Sequence, residues 1–452
     1  MMDLTAYLLA GPWRIGRVLV ALRGGPQAVR RLVADAREPD PSLLPHDDRV
    51  LAWLGAERRT GRRLVLATAA GERRARAIAD HLGLFDEVLA SGDVQLTAER
   101  RRARLAQRYG SGGYDYAGSD RADLAVWADA GVAHVVGGSY GLLHQARALA
   151  PLGAVIPRDG ARLRALSRAL RPHQWLKNLL VFVAMFTAQD VGRLRYWWHS
   201  WLMFVAFCLV ASSVHVLNDR SDLDSDRSHP TKRERPFASG RGSMVCGWAL
   251  LPVLLAAGIA LSAVPLPPKA TLMLLACLSI TVAYTFWLKR VEIVDVITLS
   301  GLYTIRIVAG AEAISAHLTI WLLTFSVFLV TSLGIVKRVS ELSRARRAGR
   351  EVRGRGYSHQ DLELMTSLGV TSGCAVVFVL YVNDNATARP HANPHLLWAA
   401  IPALLYWISR LWLLAGRGEI DEDPLLFAAG DRISLLVAAF VAASFLAAKF
   451  IA

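Results

Sequence analysis

Cysteine is scarce in this chain: four residues in 452, at positions 208, 246, 277 and 374. Their spacing matches neither zinc-ligand pairs nor a disulfide framework, and all four fall in apolar stretches, so they read as small packing residues. Residues 1–24 lack the apolar core and small-residue cleavage site of a secretory signal, and none is expected there. Acidic residues are outnumbered, 37 against 52 Lys and Arg, for a formal net charge of +15. Charge of either sign is nearly missing from a series of long runs beyond residue 175. With so much apolar surface, the basic excess is read as facing lipid headgroups and phosphate ligands, and nucleic acid is not needed to explain it.

What is present divides unevenly. Residues 1–160 are Arg-rich and read as soluble. Beyond them, apolar runs at 178–190, 199–217, 244–264, 269–287, 291–311, 317–336, 364–382, 395–415 and 433–452 make nine candidate spans, most near the ~20 residues that cross a bilayer. The first is the shortest. Arg and Lys crowd the connections after the second, fourth and sixth spans and are sparse in most of the alternate ones. By the positive-inside rule this places the N-terminal domain and the large basic loops in the cytoplasm of a multi-pass cell-membrane protein.

The most informative stretch follows the second span. Asn218 and Asp219 are followed by Asp222 and Asp226, so the three carboxylates stand at i, i+3 and i+7 and share one face if the helix continues. A solvated acidic turn is the plain reading. A basic run immediately behind, His229-Pro230-Thr231-Lys232-Arg233-Glu234-Arg235-Pro236, favours a site for Mg²⁺ with a substrate's diphosphate, since Mg²⁺ usually binds through few carboxylates together with phosphates. Lys232, Arg233 and Arg235 are candidates to grip a further phosphate, although positive-inside topology alone would also put cations there.

Residues 171–178 run Arg-Pro-His-Gln-Trp-Leu-Lys-Asn. Arg171, Gln174, Lys177 and Asn178 are either an interfacial anchor or polar groups at the mouth of a bundle. Tyr284, Lys289, Arg290 and Asp295 form a second polar region. Lys337 and Glu341, at i, i+4 beside a span, are either a surface ion pair or the lining of a cavity.

Strand and helix patterns alternate between residues 63 and 136: strands at 63–70, 85–90 and 132–136, a helix at 72–82, and a strand, Gly turn and helix start over 114–123. That alternation predicts a parallel sheet. Here the chain resembles the haloacid dehalogenase-like phosphatases, with Thr68 and the run Gly118-Ser119-Asp120-Arg121-Ala122-Asp123 at two of the family's motifs. It departs from them in lacking an Asp-x-Asp-Gly-Thr stretch, in Arg101 where a Lys is usual, and in Ser119 where an acidic or amide residue is usual. Without the nucleophilic Asp the domain is expected to be catalytically inactive, as a structural or regulatory remnant or because the true start lies upstream.

From residue 168 onward the chain resembles the UbiA superfamily of intramembrane prenyltransferases. Asn218, Asp219, Asp222 and Asp226 meet its Asn-Asp-x-x-Asp-x-x-x-Asp signature, and Tyr284, Lys289, Arg290 and Asp295 meet a second region. Arg171-Pro172, Gln174-Trp175, Lys177-Asn178, the 229–236 run, Lys337-Arg338 with Glu341, and Asp431-Arg432 are similar to the decaprenyl-phosphate phosphoribosyltransferase branch, which makes the lipid-linked phosphoribose behind arabinose donors of mycobacterial-type envelopes.

The resemblance implies an all-α bundle of nine transmembrane helices behind a small α/β domain: residues 1–152, a linker at 153–170, and the transferase domain at 171–452. It implies Mg²⁺ on Asp219, Asp222 and Asp226, with Lys177, Lys289 and Arg290 compensating the leaving group's charge. Asn218, Arg171, Gln174, Lys232, Arg233, Arg235, Tyr284, Asp295, Lys337 and Glu341 would contact the substrates, phosphoribosyl diphosphate and a polyprenyl phosphate. A homo-oligomer is compatible with this. Two other readings remain: prenyl transfer to an aromatic or other small acceptor, and a non-catalytic membrane scaffold. The scaffold is disfavoured because burying so many charges for structure alone is costly.

Overall fold

The computed structural model describes residues 40–92, 94–157, 162–187, 192–228, 232–242, 244–347, 362–363, 365–366, 394–420 and 423–450. The expected span at 364–382, Cys374, the His229-Pro230-Thr231 part of the basic run and the first 24 residues lie largely or wholly outside these. The chain forms two compact units, Met1–Ala169 with Asp219–Gly247, and Leu170–Asn218 with Trp248–Ala452.

The first unit is a small α/β body. In chain order it contains α1 (Asp48–Arg59), β1 (Val65–Gly71), α2 (Glu72–Leu82), β2 (Glu87–Ser91), α3 (Ala98–Tyr109), β3 (Asp115–Gly118), α4 (Leu124–Trp127), β4 (Val132–Val136), α5 (Tyr140–Leu149), β5 (Leu152–Ile156) and α6 (Arg162–Ala169). The strands form two parallel sheets, β1–β2 and β3–β4–β5. Local chemistry sets the boundaries. Asp47 caps α1 by accepting from the Arg49 amide at 3.1 Å, and Gly83 ends α2 in the left-handed region at φ 62°. The core gathers Leu105, Tyr116, Val126, Trp127, Ala133, Val135 and Ala146. Trp127 is fully buried, and its indole N–H donates to the Tyr116 carbonyl at 2.9 Å, which removes the cost of burying it. Strand β5 is a finding beyond the sequence pattern: the stretch expected to be a basic linker opens with a strand paired to β4.

Asp123 is the acidic residue of the Gly118–Asp123 turn, and its carboxylate is absorbed locally. It accepts from the Ser119 and Asp120 amides at 2.8 and 3.2 Å and from the Tyr116 hydroxyl at 3.0 Å, and it pairs with Arg101 at 3.2 Å. A carboxylate so occupied holds a turn together. It is a poor metal ligand as it stands.

The second unit is helical. A 3₁₀ helix, Pro172–Phe182, is followed by α7 (Val183–Thr187), α8 (Leu194–Ser221), α10 (Met244–Ala263), α11 (Pro268–Phe286), α12 (Val294–Ile314), α13 (Ile320–Arg347), α14 (Ala400–Gly416), α15 (Pro424–Gly430) and α16 (Arg432–Phe450), with α9 (Leu223–Ser228) falling in the first unit. Among the described residues five helices are long and apolar enough to cross a membrane, or six if α15 and α16, bent by 88°, make one broken span. This is a membrane protein.

The nine expected spans are therefore not all found. The described part of the stretch 178–190, up to Thr187, falls on the 3₁₀ helix and the five-residue α7, because its apolar run is too short to sustain a spanning α-helix. The one at 244–264 forms α10, an apolar helix of 20 residues. Cys208 and Cys277 are buried as expected, but Cys246 is exposed.

One core of this unit packs Val181, Met203, Ala206, Phe207, Ala270, Leu274, Leu302 and Ala309, and a second packs Val296, Val336, Val339, Leu411 and Trp412. Small residues allow the close approaches. At Gly310 of α12 an added Cβ would lie 2.0 Å from the Val181 carbonyl oxygen, so the helix touches the backbone of the 3₁₀ segment.

Candidate active site

In the first unit the acidic cluster begins at the end of α8. The helix breaks at Asp222 and resumes as α9, although the Asp226 amide still bonds the Asp222 carbonyl at 2.8 Å. The break changes which carboxylates meet. Asp219 and Asp226 are almost fully buried and converge on one guanidinium nitrogen of Arg235, at 3.3 and 2.6 Å. Asp222 is exposed. The shared face expected for all three therefore holds for two.

The basic run is folded so as to deliver Arg235. Lys232–Glu234 makes a 3₁₀ turn, the Arg235 amide bonds the Lys232 carbonyl at 2.9 Å, and Gly242 closes back on the Pro236 carbonyl at 2.7 Å. Phe237 is buried, with Gly247 against its ring. Lys232 and Arg233 point to solvent.

Two buried carboxylates against one guanidinium leave a net negative charge, which suits a further cation. In the second unit, Asn218 has a buried side-chain oxygen with no hydrogen-bond partner among the described residues. Among those residues no three His, Cys, Asp or Glu side chains stand close enough to hold a metal on their own. Hard oxygen donors, few in number and of net negative charge, fit Mg²⁺, which takes one or two carboxylates and completes its shell with water and phosphate.

The second unit holds two polar clusters. In the first, Asp423 caps α15, accepting from the Leu425 amide at 3.2 Å. The same carboxylate takes Lys177 at 2.9 Å, Lys337 at 3.2 Å and the Tyr303 hydroxyl at 2.9 Å. Burial would raise the Asp423 carboxyl, but Lys337 and Lys177 outweigh it and hold it well below the usual carboxylate range. Burial pushes the Lys177 ammonium down; Asp423 opposes this, while Lys337 and Arg306 add to it. Arg306 donates to the Asn178 side-chain oxygen at 2.9 Å and lies 5.8 Å from the Tyr303 ring centre. Asn178 in turn donates to Cys208 Sγ at 3.3 Å.

In the second cluster Arg338, only 2% exposed, grips Asp295 with two nitrogens at 2.5 and 2.8 Å, donates to the Tyr284 hydroxyl at 3.0 Å and pairs with Glu341 at 2.7 Å. Tyr284 also donates to Asp295 at 2.7 Å. Asp295 itself is fully buried. Its oxygens are engaged by protein donors, so the second motif region is first of all a structural tie.

The structure thus joins Lys177 with Lys337, Tyr284 with Asp295 and Glu341, and Asp219 with Asp226 and Arg235. Arg171, at φ 51°, precedes the 3₁₀ helix, and Gln174 is half-buried on it. Lys289 and Arg290 occupy a short 3₁₀ turn, with Arg290 exposed. Sequence reasoning missed Asp423 and Tyr303, and it used Arg338 only as part of a motif. The sole local signal for Asp423 is a carboxylate before Pro424, which reads as an ordinary helix cap.

An apolar cavity of about 690 Å³ opens at the start of α8, lined by Leu179, Phe182, Phe186, Leu194, Trp197, Trp198 and Trp201. Its aromatic lining suits a lipid chain at a membrane interface.

Residues 179–436 match the UbiA prenyltransferase family. Three relatives frame the match. "Uncharacterized protein y4nM" of Sinorhizobium fredii is 34% identical over 94% of this chain and 83% of its own length. "Nodulation protein NoeC" of Azorhizobium caulinodans is 36% identical over 59% of this chain and 88% of its own. "Decaprenyl-phosphate phosphoribosyltransferase" of Mycobacterium tuberculosis is 35% identical over 63% of this chain and 94% of its own.

Proposed function

We propose a function from one premise: this chain belongs to the UbiA prenyltransferase family and is a transferase. The reading is Mg²⁺-dependent transfer of a 5-phosphoribosyl group from phosphoribosyl diphosphate to a polyprenyl phosphate at the cytoplasmic membrane face, releasing diphosphate. The product would be a lipid-linked phosphopentose of the kind used for envelope arabinan. The observation that carries the reading is the meeting of Asp219 and Asp226, both buried, on the Arg235 guanidinium. A relative named for this reaction, covered over 94% of its length, supports it.

Asp219 and Asp226 would hold Mg²⁺, with Asp222 available from the solvent side. Bound there, the ion would supply Lewis-acid stabilisation of a departing diphosphate. The chain's own groups do the rest. Arg235 balances the buried carboxylates and stays close to the charge that develops as diphosphate leaves. Lys232 and Arg233, both exposed, offer cations to an incoming anion. Lys177, Lys337 and Arg306 supply fixed positive charge among the helices, where low polarity strengthens its pull on phosphate. No strong general base is required, because the attacking phosphate monoester is already anionic at neutral pH.

The test uses purified full chain in detergent with Mg²⁺, labelled phosphoribosyl diphosphate and a polyprenyl phosphate. Lipid-extractable label that disappears in Asp219→Asn and Asp226→Asn supports the reading. Label that appears only with a polyprenyl diphosphate and an aromatic acid establishes prenyl transfer instead.

A further inference from the structure

Three cations of the second unit, Lys177, Lys337 and Arg306, lie around one carboxylate, Asp423. Lys177 and Lys337 bond the same oxygen of it, at 2.9 and 3.2 Å, while Tyr303 donates to both oxygens at 2.9 and 3.1 Å. Arg306 forms no ion pair of its own among the described residues; its guanidinium is held by the Asn178 oxygen and the Leu302 carbonyl, and it faces the Tyr303 ring. Lys177 also lies 5.9 Å from the centre of that ring. Arg171 adds positive charge nearby, close enough to act, with Lys177 and Arg306, on His215 of α8.

Leaving cations in excess among packed helices is costly, because each has given up water without receiving a full counter-charge. An arrangement of this kind is stable in use only if an anion completes it. The carboxylate already present is too small a counter-charge, but it has a second effect. It draws residues from the 3₁₀ helix, α12, α13 and the start of α15 to one point.

We propose that this cluster binds a phosphate monoester, and that Asp423 is its positioning residue, keeping the Lys177 and Lys337 ammonium groups side by side so that their remaining N–H donors meet one phosphate. The identity of the ligand rests on the function proposed above, in which two monoesters occur: the lipid acceptor's phosphate and the sugar's 5-phosphate. The site itself does not depend on that reaction. Lys177 is the group that titrates. It is faced by Asp423, Lys337, Arg306, Tyr303 and His215, and Asp423 supplies the only negative charge among them.

The experiment measures binding of farnesyl phosphate and of ribose 5-phosphate to the full chain in detergent, with EDTA present, from about pH 6 to pH 10. At least one probe binds, and the stronger of the two tells lipid from sugar. Lys177→Gln and Lys337→Gln each weaken that binding about tenfold or more, the loss expected for a charge-assisted hydrogen bond. Wild-type binding falls toward alkaline pH as Lys177 loses its proton. Asp423→Asn shifts that fall to lower pH by about one unit or more, since the ammonium has lost its counter-charge. Lys177→Arg retains binding and removes the fall, because guanidinium does not titrate in this range. If Asp423→Asn does not fold, Asp423→Glu takes its place, and it should bind more weakly with the alkaline fall unmoved. Binding of neither probe, Gln variants that bind like wild type, or an Asp423→Asn profile that does not shift would each overturn the proposal. Intact binding together with a silent transferase assay would sink the phosphoribosyl reading alone.

Discussion

The sharpest test of the second unit is removal of the Asp295 carboxylate. Asp295 is fully buried and Arg338 is 2% exposed, so the substitution Asp295→Leu strands a guanidinium in the protein interior. Breaking a buried ion pair by deleting one partner costs about 3–5 kcal/mol. Glu341 remains at 2.7 Å, but its side chain is 28% exposed and its charge is partly screened, so it recovers only some of the loss. The lower end, about 3 kcal/mol, is expected. Spread over a unit of this size, that is a fall in melting midpoint on the order of 10 °C. The assay is thermal unfolding of the full chain in detergent, followed by fluorescence of its 13 tryptophans. The double variant Asp295→Leu with Arg338→Met removes both charges and should melt within a few degrees of wild type, since well-packed apolar replacements often match a buried pair. If Asp295→Leu melts like wild type yet has lost transfer activity, Asp295 serves the substrate and the structural reading of this pair is wrong.

Other changes test the packing and titration around the two units. Gly310→Ala forces a Cβ to within 2.0 Å of the Val181 carbonyl oxygen, so α12 must move away from the segment carrying Lys177; the melting midpoint should drop by the equivalent of about 1–3 kcal/mol or more, and an unchanged midpoint would refute the contact. Gly118→Ala places a Cβ 2.7 Å from the Asp123 side chain, and limited proteolysis should then cut the 118–123 turn faster than in wild type. His134 is pushed below its ordinary value of 6.5 by burial, with Asp115, at 3.9 Å, opposing; its Nδ1 accepts from the Ala154 amide at 2.8 Å, which also favours the neutral ring. A depressed folded value means that the unfolded chain takes up a proton first as pH falls through 6.5. Resistance of residues 40–157 to proteolysis should therefore weaken below that pH, and less steeply in His134→Gln.

Much of the architecture is legible in the sequence because it depends on local properties. The length of an apolar run decides whether a helix can cross a bilayer, so 199–217, 269–287, 291–311, 317–336 and 395–415 all correspond to spanning helices. Alternation of strand and helix patterns between residues 63 and 136 predicts the parallel strands β1 to β4 for the same reason. The run of carboxylates after residue 218, with the cations behind it, is visible without reference to any contact and is what the proposed phosphate chemistry starts from.

Partner choice is different, because ion pairs join residues far apart in the chain and depend on how segments pack. Asp423 is 246 residues from Lys177 and 86 from Lys337, and nothing around Pro424 distinguishes it from a routine helix cap. The meeting of Asp219 and Asp226 on Arg235 depends on how the 232–242 segment turns back, which the i, i+3, i+7 spacing does not reveal. The capture of Asp295 by Arg338 likewise requires α12 and α13 to lie side by side. Sequence determines which groups are charged and which stretches are apolar; only packing determines which charge faces which, because burial makes an unmatched charge costly and so selects among the pairings that composition allows.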